Sequence, residues 1–266
     1  MVTSGQIYDV LNTLAPVHYQ MDFDNSGFLV GSRNGAVQTV VTALDITDDV
    51  IDEAIAMNAD LIVSHHPLLF HPLRNVRSED LVGRKVLALA KHGISAICMH
   101  TNLDIADGGV NDVLMHVLNA EITGLLEPAG TDDQGQPLGC GRVGLLREPM
   151  PLSDFLRFVT EQLNVSGLRY CSGGKPVQKL AVCGGSGGSM LELAHEAGCD
   201  TFVTADIKYD RFLAAKELGL NLIDADHFCT ENVVIPVLAE TIRNAFPSVK
   251  VHISQALRQA TQFYLP

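Results

Sequence analysis

The sequence lacks long apolar runs and is poor in basic residues. No segment approaches the roughly 18 uninterrupted apolar residues of a membrane span, and residues 1–7 show no basic region or apolar stretch of a signal peptide. Lys and Arg number 18 against 31 Asp and Glu, a formal charge of −13. We therefore expect a cytoplasmic protein without membrane attachment. Nucleic-acid binding is disfavoured, because it needs a basic surface.

Cysteine pairs and the common nucleotide-binding loops are also missing. The six cysteines occur singly and form no CxxC pair, so we expect neither a disulfide framework nor a structural zinc knuckle. The glycine-rich residues 183–189 follow a predicted strand, a place suited to an anion. They match neither GxGxxG followed by a ribose-binding acid nor GxxxxGK[ST]. A dinucleotide site and a P-loop are therefore not predicted.

What the sequence does contain is a repeating pattern of strands and helices. Its 266 residues, 47% of them hydrophobic, suffice for one large domain or two small ones. Apolar strands are predicted at 39–45, 61–63 and 94–99, with amphipathic helices between them. Residues 59–66 align by eye with 198–206, and 93–100 align with 219–227. Two related βαβαβ halves are the simplest account.

The predicted fold class is therefore α/β, with two related halves built on mixed sheets flanked by helices. We predict the first half at 1–124 and the second at 179–266. Residues 125–178 are less regular and include a stretch rich in Gly, Asp and Pro, which favours turns. They are predicted to form a connecting sub-domain.

Polar side chains with metal-binding chemistry follow several predicted strands. These clusters are His65 with His66, His100 with Asp104, Asp206, and Asp226 and His227 with Glu231. Imidazoles and carboxylates together suit Zn, Mn or Fe, and a bridging carboxylate can hold two ions about 3.5–4 Å apart. The combination indicates a metal site more strongly than any one cluster.

Each cluster also has an ordinary structural explanation. An adjacent histidine pair is more often incidental than ligating, although Pro67 favours a chain that leaves the strand and so brings both rings to one side. His227 and Glu231 are four residues apart, which on a helix can be a simple surface contact.

Two aspartates have competing interpretations of the same kind. Asp104 can cap the following helix or bind a metal, and we favour the ligand role. Asp206 can also cap a helix or bind a metal, and here we favour capping.

These motifs together resemble the family of type 2 GTP cyclohydrolase I homologues, also called the NIF-three-like family. The resemblance lies in residues 64–73, 100–104 with 108–111, and 226–231, and it includes the turn at 24–27. It implies the short form of that fold, a two-metal site in a cleft between two α/β domains, and a toroidal homohexamer. The ligands that it implies are His65, His66, Asp104, His227 and Glu231, with Glu231 as the bridge.

We therefore expect a hydrolase that uses two divalent ions to activate a water molecule. Its substrate would be a small nucleotide-like or phosphorylated molecule. Asp45 and His100 are candidates to orient that water or to carry its proton. The alternative is a metal-binding regulatory or interaction protein without catalytic turnover.

Overall fold

The first of two β-sheets has five strands in the order β1-β4-β3-β2-β11. The structure is a computed structural model that describes residues 1–264. The strands are β1 Gly27–Val30, β2 Thr39–Ala43, β3 Leu61–Ser64, β4 Ser95–Cys98 and β11 Lys250–Ile253. The helices of this unit are α1 Ser4–Leu14, α2 Asp48–Ala56, α3 Leu81–His92, α4 Thr101–Ile105 and α10 Ile235–Ala245. Only β1 runs antiparallel to its neighbour.

Local sequence explains how these helices begin and end. Thr47 precedes α2 and its side chain accepts a hydrogen bond from the Val50 amide at 3.2 Å. Asp48 and Asp49 occupy the first turn, where negative charge is favourable. Gly93 ends α3 in the left-handed conformation at φ +68°, which glycine adopts without a steric penalty. These signals place α2 and α3 between the parallel strands.

The second sheet has six strands in the order β5-β6-β8-β9-β10-β7. They are β5 Ala120–Thr131, β6 Pro137–Met150, β7 Arg169–Cys171, β8 Val177–Val182, β9 Thr201–Thr204 and β10 Asn221–Asp224. The helices of this unit are α5 Val110–Val117, α6 Leu152–Leu163, α7 Leu191–Glu196, α8 Tyr209–Leu218 and α9 His227–Glu231. Short 3-10 turns lie at Val17–Tyr19, Gly188–Met190 and Asn232–Val234. The predicted α/β fold with two sheets flanked by helices is confirmed.

The division of the chain into units differs from the predicted boundaries at 124 and 178. The first unit comprises Met1–Ala106 and Ile235–Arg258, and the second comprises Asp107–Val234 with the described residues from Gln259 on. The chain therefore returns to the first sheet, where β11 pairs with β2. Residues 125–178 supply strands of the second sheet, because β6 pairs with both β5 and β8.

The two sheets share a four-strand order. In the first, β1-β4-β3-β2 contains one antiparallel strand and three parallel ones, and β7-β10-β9-β8 repeats this arrangement in the second. Asp60 accepts hydrogen bonds from the amides of Gln38 and Thr39 at the start of β2. Asp200 accepts them from Gln178 and Lys179 in β8. The repeat extends from strand order to individual side chains.

Each unit has its own apolar core. In the first, Val41, Ile62 and Ala96 from three neighbouring strands pack with Val50 and Leu89 of the helices. Phe155, Leu180 and Val203 pack together in the second. Burial of such side chains is the main source of stability in each sheet. Among residues 1–264, no helix is both long and apolar enough to cross a membrane.

Candidate metal centre

Three histidines of the first unit lie at the carboxyl ends of adjacent strands. His65 and His66 follow β3 directly, and His100 comes two residues after β4. β3 and β4 are parallel neighbours, so their carboxyl ends meet at one edge of the sheet. The ring centroids are 5.0 Å apart for His65 and His66, and 5.3 and 5.5 Å from these two to His100. One ring nitrogen from each of the three lies within 4.8 Å of the others.

The orientation of each ring is set by an oxygen next to its Nδ1. The contacts are 2.7 Å from His65 to the Met99 carbonyl, 2.8 Å from His66 to Asp45 Oδ1, and 2.7 Å from His100 to Asp24 Oδ1. An Nδ1–H that donates to an oxygen leaves Nε2 as the ring nitrogen that can bind a metal. The three rings are thus oriented as metal-binding histidines usually are.

Asp104 lies beside this group on the short helix α4. Its Oδ1 is 3.7 Å from Nε2 of His65, whose side chain is fully buried. A carboxylate at this distance from an imidazole nitrogen is compatible with both groups binding one ion after a small adjustment. The structure therefore brings together four of the residues that the sequence singled out.

Asp24 is a buried carboxylate that the sequence left unassigned. Its oxygens accept hydrogen bonds from Ser26 Oγ at 2.8 Å, from Thr101 Oγ1 at 2.6 Å and from the Thr101 amide at 3.1 Å, besides the contact with His100. Burial raises the pKa of Asp24, but the hydrogen bonds from His100, Thr101 and Ser26 outweigh burial and hold the pKa well below its usual range. Asp24 therefore stays ionised and fixes His100 in place.

The second unit carries a histidine and a glutamate on one short helix. His227 begins α9 and Glu231 ends it, and Nε2 of His227 lies 3.0 Å from Oε2 of Glu231. Nδ1 of His227 contacts Asp206 Oδ2 at 2.7 Å. Burial lowers the pKa of His227, but Glu231 and Asp206 outweigh it and raise the pKa to about 9. The two carboxylates therefore favour the protonated form of the His227 ring in this metal-free arrangement.

The predicted capping role of Asp206 is wrong. The helix after it, α8, begins at Tyr209 and its N-cap is Lys208. Asp206 instead has φ +55° and turns its carboxylate to His227. Aspartate tolerates the left-handed region better than most residues, which permits this turn directly after β9.

The glycine-rich loop after β8 lies directly against the side chain of Glu231. Gly185 has φ +62°, and a Cβ there would overlap Oε1 of Glu231 and lie 3.2 Å from His227 Nε2. The amide of Gly185 donates to Thr230 Oγ1 at 3.0 Å, and its carbonyl accepts from the Ala205 amide at 2.9 Å. Glycine is required here by the close approach and by the positive φ. The loop packs against the carboxylate of Glu231.

Comparison with known proteins identifies the family. A family model described as Duf34/NIF3 (NGG1p interacting factor 3) matches residues 2–259. The chain belongs to the Duf34/NIF3 family. The resemblance drawn from the sequence motifs is confirmed.

Relatives in this family cover nearly the whole chain. A Clostridium acetobutylicum protein named GTP cyclohydrolase 1 type 2 homolog is 33% identical over 245 residues, covering 92% of this chain and 91% of that protein. Its Clostridium perfringens namesake is 32% identical and covers 97% and 98%. The crystal structure of a Bacillus cereus protein related to NIF3 superposes with a TM-score of 0.92 at 25% identity, covering 99% of both chains.

The donor atoms of this Duf34/NIF3 chain fit a divalent metal ion. Imidazole nitrogens and carboxylate oxygens are ligands for Zn, Mn and Fe. Each of the four histidines also has an oxygen at Nδ1, the arrangement that orients metal-binding imidazoles. The described residues therefore contain histidine and glutamate groups that could bind a metal.

The positioning roles of three residues were not predicted from the sequence. Asp24 was visible only as part of a polar turn, Asp206 was interpreted as a helix cap, and Gly185 was one glycine among several in its loop. A usable signal existed for Asp206, which follows a predicted strand as Asp45 does. Asp24 gave no such signal, because its partner His100 is 76 residues away.

Proposed function

We propose that this protein is a hydrolase that uses two divalent metal ions and acts on a small nucleotide-like or phosphorylated molecule. The proposed ligands are His65, His66, Asp104, His227 and Glu231, with Glu231 as the bridging carboxylate. Zn, Mn and Fe suit this mixture of donors. Bound ions would supply an activated water and a Lewis acid for a carbonyl, imine or phosphoryl group.

The observation that carries the proposal is the set of oxygens next to Nδ1 of the histidines. Three of the four are carboxylates, those of Asp45, Asp24 and Asp206. Such pairs fix the tautomer of the ring and increase the basicity of its other nitrogen. The Asp24 side chain is buried, whereas those of Asp45 and Asp206 are 42% and 53% exposed, so the same contact recurs in different surroundings. The repetition of the same contact in both units favours a metal-binding role.

Particular residues of the chain would have distinct tasks. Asp45 and Asp206 would hold His66 and His227, and the Met99 carbonyl would hold His65. Gly185 would keep the Glu231 carboxylate in place by packing against it. The overall charge of −13 repels anionic substrates, so a phosphorylated substrate needs a local positive charge. Two bound cations would provide it.

A substrate panel with metal-analysed protein tests the proposal. Nucleotides and phosphoesters are assayed with Mn, Zn and Fe, and we expect turnover of at least one compound. Glu231→Ala should lower that turnover by more than ~100-fold, because removing a ligand costs more than the 10–100-fold typical of residues that support ligands. Activity that is unchanged in Glu231→Ala would refute the proposal.

The matched control is Glu240→Ala. Glu240 is an exposed glutamate of α10 that pairs with Arg243 at 2.7 Å. An exposed pair of this kind contributes at most ~1 kcal/mol. We therefore expect wild-type turnover and metal content in this variant. A loss equal to that of Glu231→Ala would mean that glutamate removal acts through stability rather than through the site.

The rival function is a metal-binding regulatory or interaction protein, and the family description, which names an interacting factor, favours it. Chelation separates the two roles. With a catalytic metal, chelated protein keeps its far-ultraviolet circular dichroism and its assembly but has no turnover, and adding metal restores turnover. With a structural metal, chelation unfolds or disassembles the protein.

We further propose that the protein assembles as a toroidal homohexamer. This proposal comes from the family resemblance alone. Sedimentation equilibrium with and without chelator tests it, and a chain that remains monomeric in the presence of metal contradicts it.

A further inference from the structure

The first unit by itself contains a nearly complete set of nitrogen donors. One ring nitrogen each of His65, His66 and His100 lies within 4.8 Å of the other two. Nδ1 of every ring contacts an oxygen at 2.7–2.8 Å, so Nε2 is the atom that each ring would offer to a metal. Three imidazoles that leave a fourth position open are a common donor set of zinc sites.

His100 occupies a different place in this set from the one that the sequence analysis gave it. There it was a candidate to carry a proton, whereas its ring is as close to His65 as to His66. Asp24 holds the ring with an Nδ1 contact of 2.7 Å, and the Asp24 side chain is fully buried. Thr101 and Ser26 in turn hold Asp24 by hydrogen bonds of 2.6 and 2.8 Å. This network leaves the His100 ring little freedom to turn.

A simpler explanation of Asp24 is structural. Its carboxylate accepts from the Thr101 amide at 3.1 Å, and Thr101 is the first residue of α4. Asp24 could therefore act as a remote cap that satisfies one of the orphan amides of this helix. Capping requires only one carboxylate oxygen and makes no use of His100. The two roles predict different effects on metal binding.

We propose that the first unit binds one divalent ion on its own through Nε2 of His65, His66 and His100, with Asp24 as the residue that positions His100. This rests on the proposed function only in assuming that the histidines of the first unit bind metal. Zinc is the ion that this donor set fits best.

The test removes the second unit's donors in the full-length chain. A His227→Ala, Glu231→Ala double variant is titrated with Zn²⁺ and Co²⁺. We expect one ion per chain, with three imidazoles counted by X-ray absorption fine structure of the zinc form. No bound ion, or an ion with fewer than three imidazoles, would overturn the inference.

Variants of the positioning pair sharpen this experiment. His100→Asn keeps an amide that can donate to Asp24 but removes the ring, so the affinity of the double variant for Zn²⁺ should fall by more than ~100-fold. Asp24→Asn should lower it by about 10–100-fold, as for other residues that orient a metal-binding histidine. His71→Asn, which changes an exposed histidine outside the group, should leave the affinity unchanged. Unchanged affinity in His100→Asn overturns the inference.

The metal-free wild-type protein provides a check that does not depend on the variants' folding. Long-range ¹H–¹⁵N correlation should show His100 protonated at Nδ1, and one equivalent of Zn²⁺ should shift Nε2 of all three histidines. Protonation at Nε2, or a shift confined to two rings, contradicts the inference.

The experiments distinguish failure of the three-histidine site from failure of the proposed hydrolase function. If wild-type protein binds two ions and turns over a substrate while the double variant binds none, only the three-histidine site is refuted. If the double variant binds one ion but the wild type turns over nothing, only the hydrolase is refuted.

Discussion

The two units share a strand skeleton but carry different groups at its carboxyl edge. The order β1-β4-β3-β2 recurs as β7-β10-β9-β8, with the same strand directions. In the first unit three imidazoles follow these strands, and in the second one imidazole and one glutamate do. The first is therefore rich in imidazole nitrogen donors, and the second adds a carboxylate.

This difference shows which parts of a repeated fold are constrained. Main-chain hydrogen bonds set strand order and register. The carboxylates of Asp60 and Asp200 support them in the same way, by accepting hydrogen bonds from main-chain amides at the start of a strand. Side chains just beyond the strand ends take no part in the ladder. They can therefore differ between the units without cost to the sheet.

The largest loss of stability should follow from substituting Gly185, the glycine of the second unit that packs against Glu231. Gly185→Ala should destabilise the protein by about 2–5 kcal/mol, since a left-handed alanine costs about 1–2 kcal/mol and overpacking a further 1–3. Urea unfolding measures this loss. Gly174→Ala is the matched control, because φ is +77° but no atom lies within 4 Å of the added Cβ. Equal losses in the two variants would show that Glu231 is not packed against Gly185.

The next largest loss of stability should come from the aspartates that accept hydrogen bonds from strand amides, and it tests whether the two sheets are equivalent. Asp60→Ala and Asp200→Ala each remove an acceptor for two strand amides, and each should cost about 1–3 kcal/mol. Asp133→Ala, at an exposed position in the loop between β5 and β6, should change stability by less than ~0.5 kcal/mol. If only one of Asp60→Ala and Asp200→Ala is destabilised, the two aspartates do not have equivalent roles in their sheets.

The smallest effect concerns the segment after β11, which belongs to the first unit up to Arg258. Glu53 accepts hydrogen bonds from Ser254 Oγ and from the Gln255 amide at 2.9 Å. Burial raises the pKa of Glu53, but these hydrogen bonds outweigh it and the pKa is lowered. A lowered pKa means that the stabilisation is full above the unfolded pKa of 4.5 and is lost as pH falls through the folded pKa.

Urea unfolding of wild type and Glu53→Gln between pH 6 and pH 3 measures this effect. We expect wild type to be slightly more stable at pH 6, and the difference to shrink below about pH 4.5. Glu240→Gln, which also neutralises an exposed glutamate, is the control and should change stability at pH 6 by at most ~1 kcal/mol. If the stability advantage of wild type over Glu53→Gln increases as the pH falls, the pKa of Glu53 is raised rather than lowered in the folded protein.

Much of the fold and of the candidate site was predictable from residue patterns. Apolar runs at 61–63 and 94–99 predicted the strands that carry His65, His66 and His100, and the alignment with 198–206 predicted the second parallel core. Residues 125–178 were predicted to form a connecting sub-domain, whereas their Gly- and Pro-rich stretch contains the turn of a long hairpin of β5 and β6. β5 is largely exposed, so it lacks the strong apolar signal of a buried strand.

By itself the sequence determined the α/β class, the repeat and the residue types at the strand ends, because these depend on periodicity and on neighbours along the chain. Only the tertiary structure decided that β11 joins β2, that Asp24 holds His100, and that Asp206 holds His227 rather than capping a helix. The reason is physical. A hydrogen bond between residues far apart in sequence forms only when packing has brought their strands together, and no local pattern encodes that distance.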